Sequence, residues 1–233
     1  MSDGDVVYGR NPVREALRGQ RRVREILVSD RAADLDWLAG APVSVASAAA
    51  ITRLAGSDEH QGVAARVDPF PYADADALAA RERPLIVALD EITDPHNLGA
   101  IARAAECAGA DGIVITRHRS AVVTPAVCKA SAGAVEHLPI AVVTNLADWL
   151  ERIKRPGLWS YATAADARLV YTSADLADGA VIVIGSEGKG VRPRVRSACD
   201  GAVRIPLGGR IPSLNASVAA AVVLFEAVRQ RSC

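Results

Sequence analysis

Lysine is nearly absent from this chain: Lys129, Lys154 and Lys189 are the only three among 27 basic residues. Aromatic residues are scarce too, at 4%, while half of the residues are hydrophobic, so a core must be built from Ala, Val, Leu and Ile. No apolar run approaches the roughly 20 residues that a membrane-spanning helix needs. The opening MSDGDVVYGR has none of the apolar stretch that marks a secretory signal. Both absences lead us to expect a cytoplasmic protein. Cysteine occurs four times, at Cys107, Cys128, Cys199 and Cys233, far apart and never as C-x-x-C. That spacing speaks against a zinc or disulfide framework and leaves reduced, mostly buried thiols as the expectation. His96, His118 and His137 share no metal-ligand spacing and are expected on loops or the surface. No metal is expected. Net charge is absent as well, with 27 basic residues against 27 acidic ones, which argues against an indiscriminate binder of polyanions.

The charge that is present is unevenly placed. Six arginines stand between Gly9 and Arg24 against one acid, Glu15. Six basic residues stand between Lys189 and Arg210 against one acid, Asp200. Such clusters suit phosphate contacts, and the first suits a solvated helix surface equally well.

Periodicity divides the chain into residues 1–68, a linker over 69–83 and a larger unit over 84–233. In the first unit, strands are expected at 6–8, 25–29, 43–46 and 62–67, and helices at 13–18, 31–39 and 48–55. Asn11 and Pro12 read as a helix N-cap and a first-turn proline, and Gly19 as the stop. Strands alternating with short helices suggest a small three-layer α/β unit. The linker carries Pro69 and Pro71 and has room for one helical turn. In the larger unit, strands are expected at 85–89, 112–115, 138–143, 158–162, 180–184 and 203–207. The helices between them include one with Leu98, Ile101, Ala102 and Ala105 on its apolar side, others near 125–131 and 146–154, and a helix-like turn near 175–176. Fully apolar strands joined by helices mean a parallel sheet covered on both faces. Ligands of such sheets bind beyond the C-terminal strand ends.

Residues 205–231, IPLGGRIPSLNASVAAAVVLFEAVRQR, form the most unusual stretch. From Ala216 to Phe225 only Ser217 is polar, so no face of this helix reads as solvent-exposed. It needs covering by other elements or by a second subunit. Two further polar loops stand with it. One is Asp94-Pro95-His96-Asn97-Leu98-Gly99, with Arg103 beyond; the other is Gly185-Ser186-Glu187-Gly188-Lys189-Gly190. The second is no P-loop, because Lys189 precedes its last glycine. It is no dinucleotide fingerprint either, because Val191, Arg192 and Pro193 follow Gly190. Taken singly, Asn97 would shape a helix start, Arg103 would pair with Glu106, Glu187 would be a solvated acid, and Ser213 and Asn215 would be helix caps.

Taken together and in this order, the loops resemble the motifs of the SpoU family of RNA ribose 2′-O-methyltransferases. The first motif corresponds to Asn97-Leu98-Gly99 with Arg103, and the second to Ile184-Gly185-Ser186-Glu187-Gly188. The third corresponds to Ile205-Pro206-Leu207 and Ser213-Leu214-Asn215 with Ser217. The resemblance covers roughly residues 83–231. It extends toward the bacterial branch that methylates a guanosine of 23S ribosomal RNA, through residues 93–100, His118-Arg119-Ser120, Gly133-Ala134-Val135-Glu136 and 224–231. The N-terminal unit resembles that branch's ribosomal-protein-like, RNA substrate-binding domain, in Tyr8-Gly9-Arg10-Asn11-Pro12-Val13 and His60-Gln61-Gly62-Val63. Pro212 before Ser213 and Ala216 after Asn215 depart from the branch's usual pattern.

The resemblance implies an α/β fold. A C-terminal parallel-sheet methyltransferase domain with a deep trefoil knot (SPOUT) would follow a small N-terminal α/β domain. It implies S-adenosylmethionine as methyl donor, held by Ala162, Thr163, Gly185, Ile205, Leu207 and Leu214. It implies a catalytic set of Asn97, Arg103, Glu187, Ser213 and Asn215, an RNA partner and a homodimer formed through the knot. A ribose hydroxyl is a poor nucleophile that must be oriented and relieved of its proton. The family counterpart of Arg103 is assigned that task. Arginine stays protonated in proteins, so clamping the neighbouring phosphate while orienting the 2′-OH is a second role open to it. Other targets remain open: tRNA, another ribosomal nucleotide including an antibiotic-resistance site, or no reaction at all in an RNA-binding or ribosome-assembly protein.

Overall fold

Two sheets organise residues 4–232, the residues that the computed structural model describes; Cys233 lies outside them. The first sheet contains β1 (Asp5–Tyr8), β2 (Val23–Val28), β3 (Val43–Val45) and β4 (Val63–Val67), in the order β1-β4-β2-β3. β4 runs antiparallel to β1 and β2. Alternation along these strands sorts their side chains. Val7, Ile26, Val28, Val63 and Ala65 face the main core, while Tyr8 and Ala64 meet Ile51 and Ala55 of α2 (Ala48–Ala55) on the other face. The unit is therefore three-layered.

Two local expectations fail here. Asn11 is not a cap. Helix α1 (Arg10–Arg18) begins after Gly9, whose φ of 94° favours glycine, and the Arg10 N–H donates to Gln61 Oε1 at 3.1 Å. The cap thus comes from a distant turn and leaves no local mark. The helix expected over 31–39 is instead two 3-10 turns, Asp30–Ala32 and Asp36–Leu38, separated by extended backbone at Leu35. Three aspartates in this stretch compete locally for backbone hydrogen bonds and lower helix propensity.

The second sheet is parallel throughout. It contains β5 (Leu85–Asp90), β6 (Gly112–Thr116), β7 (Ile140–Val143), β8 (Leu158–Thr163), β9 (Leu169–Val170), β10 (Gly179–Gly185) and β11 (Gly201–Arg204). Their order is β7-β6-β5-β10-β8-β11-β9. Leu85, Val87, Leu89, Ile113, Ile115, Ile182 and Ile184 pack toward α4 (Pro95–Cys107), α5 (Pro125–Ala130) and α8 (Ala216–Arg231). Ile86, Ala88, Val114, Val181 and Val183 pack toward α3 (Ala75–Ala79), α6 (Leu146–Arg152) and α7 (Pro193–Ala198). Each large aliphatic side chain buried this way contributes about 1.5–3 kcal/mol. Gly99 sits where α4 crosses α5: a Cβ there would lie 2.5 Å from Ala130 Cβ.

The expected strand at 203–207 is shifted to Gly201–Arg204, because Pro206 has no N–H to donate to a ladder. Ile205 and Leu207 lie past its end. The turn expected near 175–176 lies at Tyr171–Ser173, and β9 and α7 were not anticipated. β9 is two residues long and α7 carries Arg194 and Arg196, so neither shows a readable apolar period. Helix α8 is not covered all round. Ala220, Val223, Leu224 and Ala227 are buried, whereas Val218 and Phe225 are 48% and 50% exposed.

The two sheets share one continuous apolar cluster, in which Val13 and Ile26 join Leu98 and Val127. A buried ion pair reinforces the junction. Arg21 Nε donates to Glu136 Oε2 at 2.8 Å, Arg21 Nη2 binds Glu136 Oε1, and the side chains are 3% and 0% exposed. Burial alone would lower the Arg21 pKa; the Glu136 carboxylate outweighs it and raises the value. Lys129 of α5 donates to Glu59 O at 2.8 Å, and His137 meets Glu15 at 3.0 Å. The thiols are mixed: Cys128 is buried, Cys199 half-buried and Cys107 exposed on the outer side of α4, against the expectation of burial. Burial pushes the Cys128 and Cys199 thiols up to about 12.

Candidate active site

The strands β5, β10, β8 and β11 are neighbours, and the loops leaving their C-terminal ends carry the three motifs. Asp94 caps α4 by accepting the His96 N–H at 2.9 Å, with Pro95 in the first turn. Asn97 is therefore free of capping duty. It is 8% exposed, and its Nδ2 donates to Glu187 Oε1 at 3.0 Å. Asn215 Nδ2 donates to Asn97 Oδ1 at 2.9 Å and to Glu187 Oε1 at 2.6 Å. Asn215 Oδ1 caps α8, accepting the Ser217 N–H at 2.8 Å and its hydroxyl at 2.6 Å. Three loops far apart in sequence thus close a triangle of hydrogen bonds. Glu187 Oε2 has no partner among the described residues.

The fold of the second loop explains its glycines. A Cβ on Gly185 would lie 2.0 Å from Gly190 C, since the loop turns back over it and Gly190 N–H donates to Ser186 O at 2.8 Å. Gly188 and Gly190 have φ of 79° and 66°, which suits glycine. Arg192 pins the loop's exit. Its N–H donates to Asp90 Oδ2 at 2.8 Å, its Nε to Asp90 Oδ1 at 2.8 Å, and its Nη1 meets Glu91 at 3.3 Å. The hydrogen bond to Asp90 raises the Arg192 pKa. Sequence reasoning missed this latch. Its one signal was an acid closing the otherwise apolar strand Leu85–Asp90, because a fully buried aspartate needs a partner.

The other expected residues are placed differently. Arg103 lies six positions along α4 from Asn97, about 120° around the axis. It is exposed, and it makes no ion pair or hydrogen bond among the described residues, so the surface pair with Glu106 does not form. Ser213 is exposed and equally without a hydrogen bond there. Ala162 and Thr163 end β8, and Thr163 Oγ1 donates to Val183 O at 3.0 Å. Ile205 is half-buried, and Leu207 and Leu214 are 39% and 38% exposed. Apolar side chains bared past the strand ends fit a ligand with a flat heteroaromatic ring. Among the described residues, no group of three or more His, Cys, Asp or Glu could hold a metal ion.

A cavity of about 420 Å³ lies elsewhere, lined by Phe70, Tyr72, Leu78 and Pro139. Its Arg21, Arg81 and His137 are already paired with Glu136, Asp111 and Glu15. The arginine cluster between Gly9 and Arg24 is also largely engaged. Arg14 and Arg18 pair with Glu15, Arg21 with Glu136 and Arg24 with Asp68.

Residues 84–225 match the model of the SpoU rRNA Methylase family, and residues 6–73 match the family described as RNA 2′-O ribose methyltransferase substrate binding. A Bacillus subtilis protein named as a putative TrmH family tRNA/rRNA methyltransferase is 39% identical over 98% of this chain and 96% of its own. A Pseudomonas syringae 23S rRNA (guanosine-2′-O-)-methyltransferase is 47% identical over 74% of this chain and 71% of its own. Among solved structures, the SpoU methyltransferase AviRb of Streptomyces viridochromogenes, in complex with AdoMet, matches with a TM-score of 0.83 at 29% identity. That match covers 97% of this chain and 90% of the other.

Proposed function

The chain belongs to the SpoU rRNA methylase family, and from that membership we propose that it methylates the ribose 2′-OH of a guanosine in 23S ribosomal RNA. It is an S-adenosylmethionine-dependent RNA methyltransferase; the ribosomal guanosine is the further step, suggested by the similarity to the Pseudomonas enzyme. The observation that carries the catalytic reading is the Asn97–Glu187–Asn215 triangle at the C-terminal strand ends.

S-adenosylmethionine, when bound, supplies an electrophilic methyl group on a sulfonium sulfur. Ala162, Thr163, Gly185, Ile205, Leu207 and Leu214 hold it in this reading, within the trefoil knot that the family resemblance implies. Asn97 and Asn215 fix Glu187 through Oε1, which leaves Oε2 to accept a hydrogen bond from the ribose. Arg103 brings an unpaired guanidinium that clamps the phosphate beside the target ribose and orients the 2′-OH. Ser213 offers a hydroxyl at the entry to α8. The bare apolar face of α8, with Val218 and Phe225 exposed, and Ile211, 73% exposed in the preceding loop, support a homodimer through this region. We place the enzyme in the cytoplasm, with its RNA.

The test is transfer of labelled methyl from S-adenosylmethionine to RNA extracted from cells lacking the gene. Label is expected in the 23S fraction as 2′-O-methylguanosine. Label confined to tRNA would overturn the substrate assignment.

A further inference from the structure

The cations of the larger unit are sorted by end. Near the N-terminal strand ends each has a partner: Arg81 with Asp111, Arg83 with Asp178, Arg152 with Asp76 and Lys154 with Glu151. Arg155 and Arg231 donate to backbone carbonyls there. The C-terminal strand ends differ. Arg117 follows β6, Lys189 follows β10, Arg204 ends β11 and Arg210 follows it; Arg168 stands in the loop from β8 to β9, immediately before Leu169, which pairs with Val203 near the end of β11. None of the five has an ion pair or a side-chain hydrogen bond among the described residues. Arg119 and Arg192 at the same end are paired with Glu91 and Asp90.

Acids at this end are engaged as well. Asp90 and Glu91 take Arg192, Asp166 takes Arg196, Asp94 caps α4, and Glu187 accepts the two amides. Asp94 and Glu187 keep their charge, so the five unpaired cations outnumber the unpaired acids around the loops that carry the motifs. In a chain with no net charge, the unpaired cations of the larger unit thus gather near the C-terminal strand ends.

We propose that Arg117, Arg168, Lys189, Arg204 and Arg210 form a phosphate-gripping rim, so that the RNA backbone lies across the C-terminal strand ends. In the arginine-rich helix α1, Arg14 and Arg18 share the one carboxylate of Glu15, and this pair serves as the comparison. The assignment rests on the chain's being an RNA methyltransferase. Each phosphate neutralised by such a cation contributes about 0.7–0.9 to the slope of log affinity against log salt.

The experiment measures binding of the full chain to a fluorescein-labelled RNA stem-loop by fluorescence anisotropy across a salt series. The variant R117Q/R168Q/K189Q/R204Q/R210Q is expected to lose at least tenfold in affinity at about 0.1 M salt, with a shallower slope for each contact removed. Its KM for RNA should rise more than its kcat falls, and S-adenosylhomocysteine should bind as to wild type. The single variants R117Q and R210Q, on exposed loops, should each show one step of the same loss. R14Q/R18Q should keep the wild-type slope. Wild-type affinity and slope in the five-fold variant would overturn the rim, as would an equal loss per residue in R14Q/R18Q. Failure of the family reading has a different signature: no S-adenosylhomocysteine binding and no methyl transfer by the wild type.

Discussion

Replacing Asn215 by aspartate separates the two tasks that this side chain performs. The retained oxygen still caps α8 through the Ser217 N–H, now 2.8 Å from Asn215 Oδ1. The lost amide gives up its bonds to Asn97 Oδ1 at 2.9 Å and Glu187 Oε1 at 2.6 Å. A hydrogen bond to a charged acceptor contributes about 1.5–3 kcal/mol and one between neutral groups about 0.5–1.5. Their combined loss is about 2–4 kcal/mol, before the added repulsion between two carboxylates. At about 1.36 kcal/mol per tenfold change in rate, methyl transfer should fall about 30- to 1,000-fold. Single-turnover transfer of labelled methyl to RNA measures this, with thermal melting as the companion assay. Asn215→Asp should melt several degrees below wild type, because the same two bonds are lost to the fold. Asn215→Ala also loses the cap, about 0.5–2 kcal/mol, and should melt a few degrees lower still. Transfer by Asn215→Asp within threefold of wild type would refute the reasoning, and so would equal melting losses in the two variants.

Arg103→Ala should bind S-adenosylhomocysteine as wild type does and lose methyl transfer by orders of magnitude; near-normal turnover would remove Arg103 from the catalytic set. Arg21→Met should cost about 3–5 kcal/mol in urea unfolding, because it strands the buried Glu136 charge, and Arg21→Met/Glu136→Leu should recover most of it. A single-variant loss under about 1 kcal/mol would contradict a buried pair there. Iodoacetamide at pH 8 should label Cys107 in the native protein and spare Cys128, whose thiol is pushed up to about 12 by burial, with peptide mapping as the readout. Because that thiol ionises in the unfolded chain near the ordinary value of 9 but stays protonated when folded, stability should fall as pH rises above about 9. Val218→Glu/Phe225→Glu should sediment as a monomer while wild type sediments as a dimer; equal sedimentation would reject the interface.

The strands β5, β6 and β10 were legible because they are apolar without interruption, as a sheet covered on both faces requires. β9 and α7 were not, since their few residues take their structure from neighbours and not from a pattern of their own. Asn97, Glu187 and Asn215 could be aligned with motifs, but spacing could not reveal that one amide bonds both of the others. The Asp90–Arg192 latch and the Gln61 cap on α1 were hidden for the same reason: 102 and 51 residues separate their partners. The arginines near the N-terminus were legible as a cluster, but their pairing was not. Arg14 and Arg18 share Glu15 within the cluster, while the acids that meet Arg21 and Arg24, Glu136 and Asp68, come from elsewhere in the chain.

The most direct measurement is a map of 2′-O-methylated nucleosides in ribosomal RNA from cells with and without the gene, read by mass spectrometry. The expected result is one 2′-O-methylguanosine of 23S RNA that disappears with the gene and returns with the wild-type chain but not with Arg103→Ala. A complete set of 23S marks in cells lacking the gene would contradict the proposed reaction.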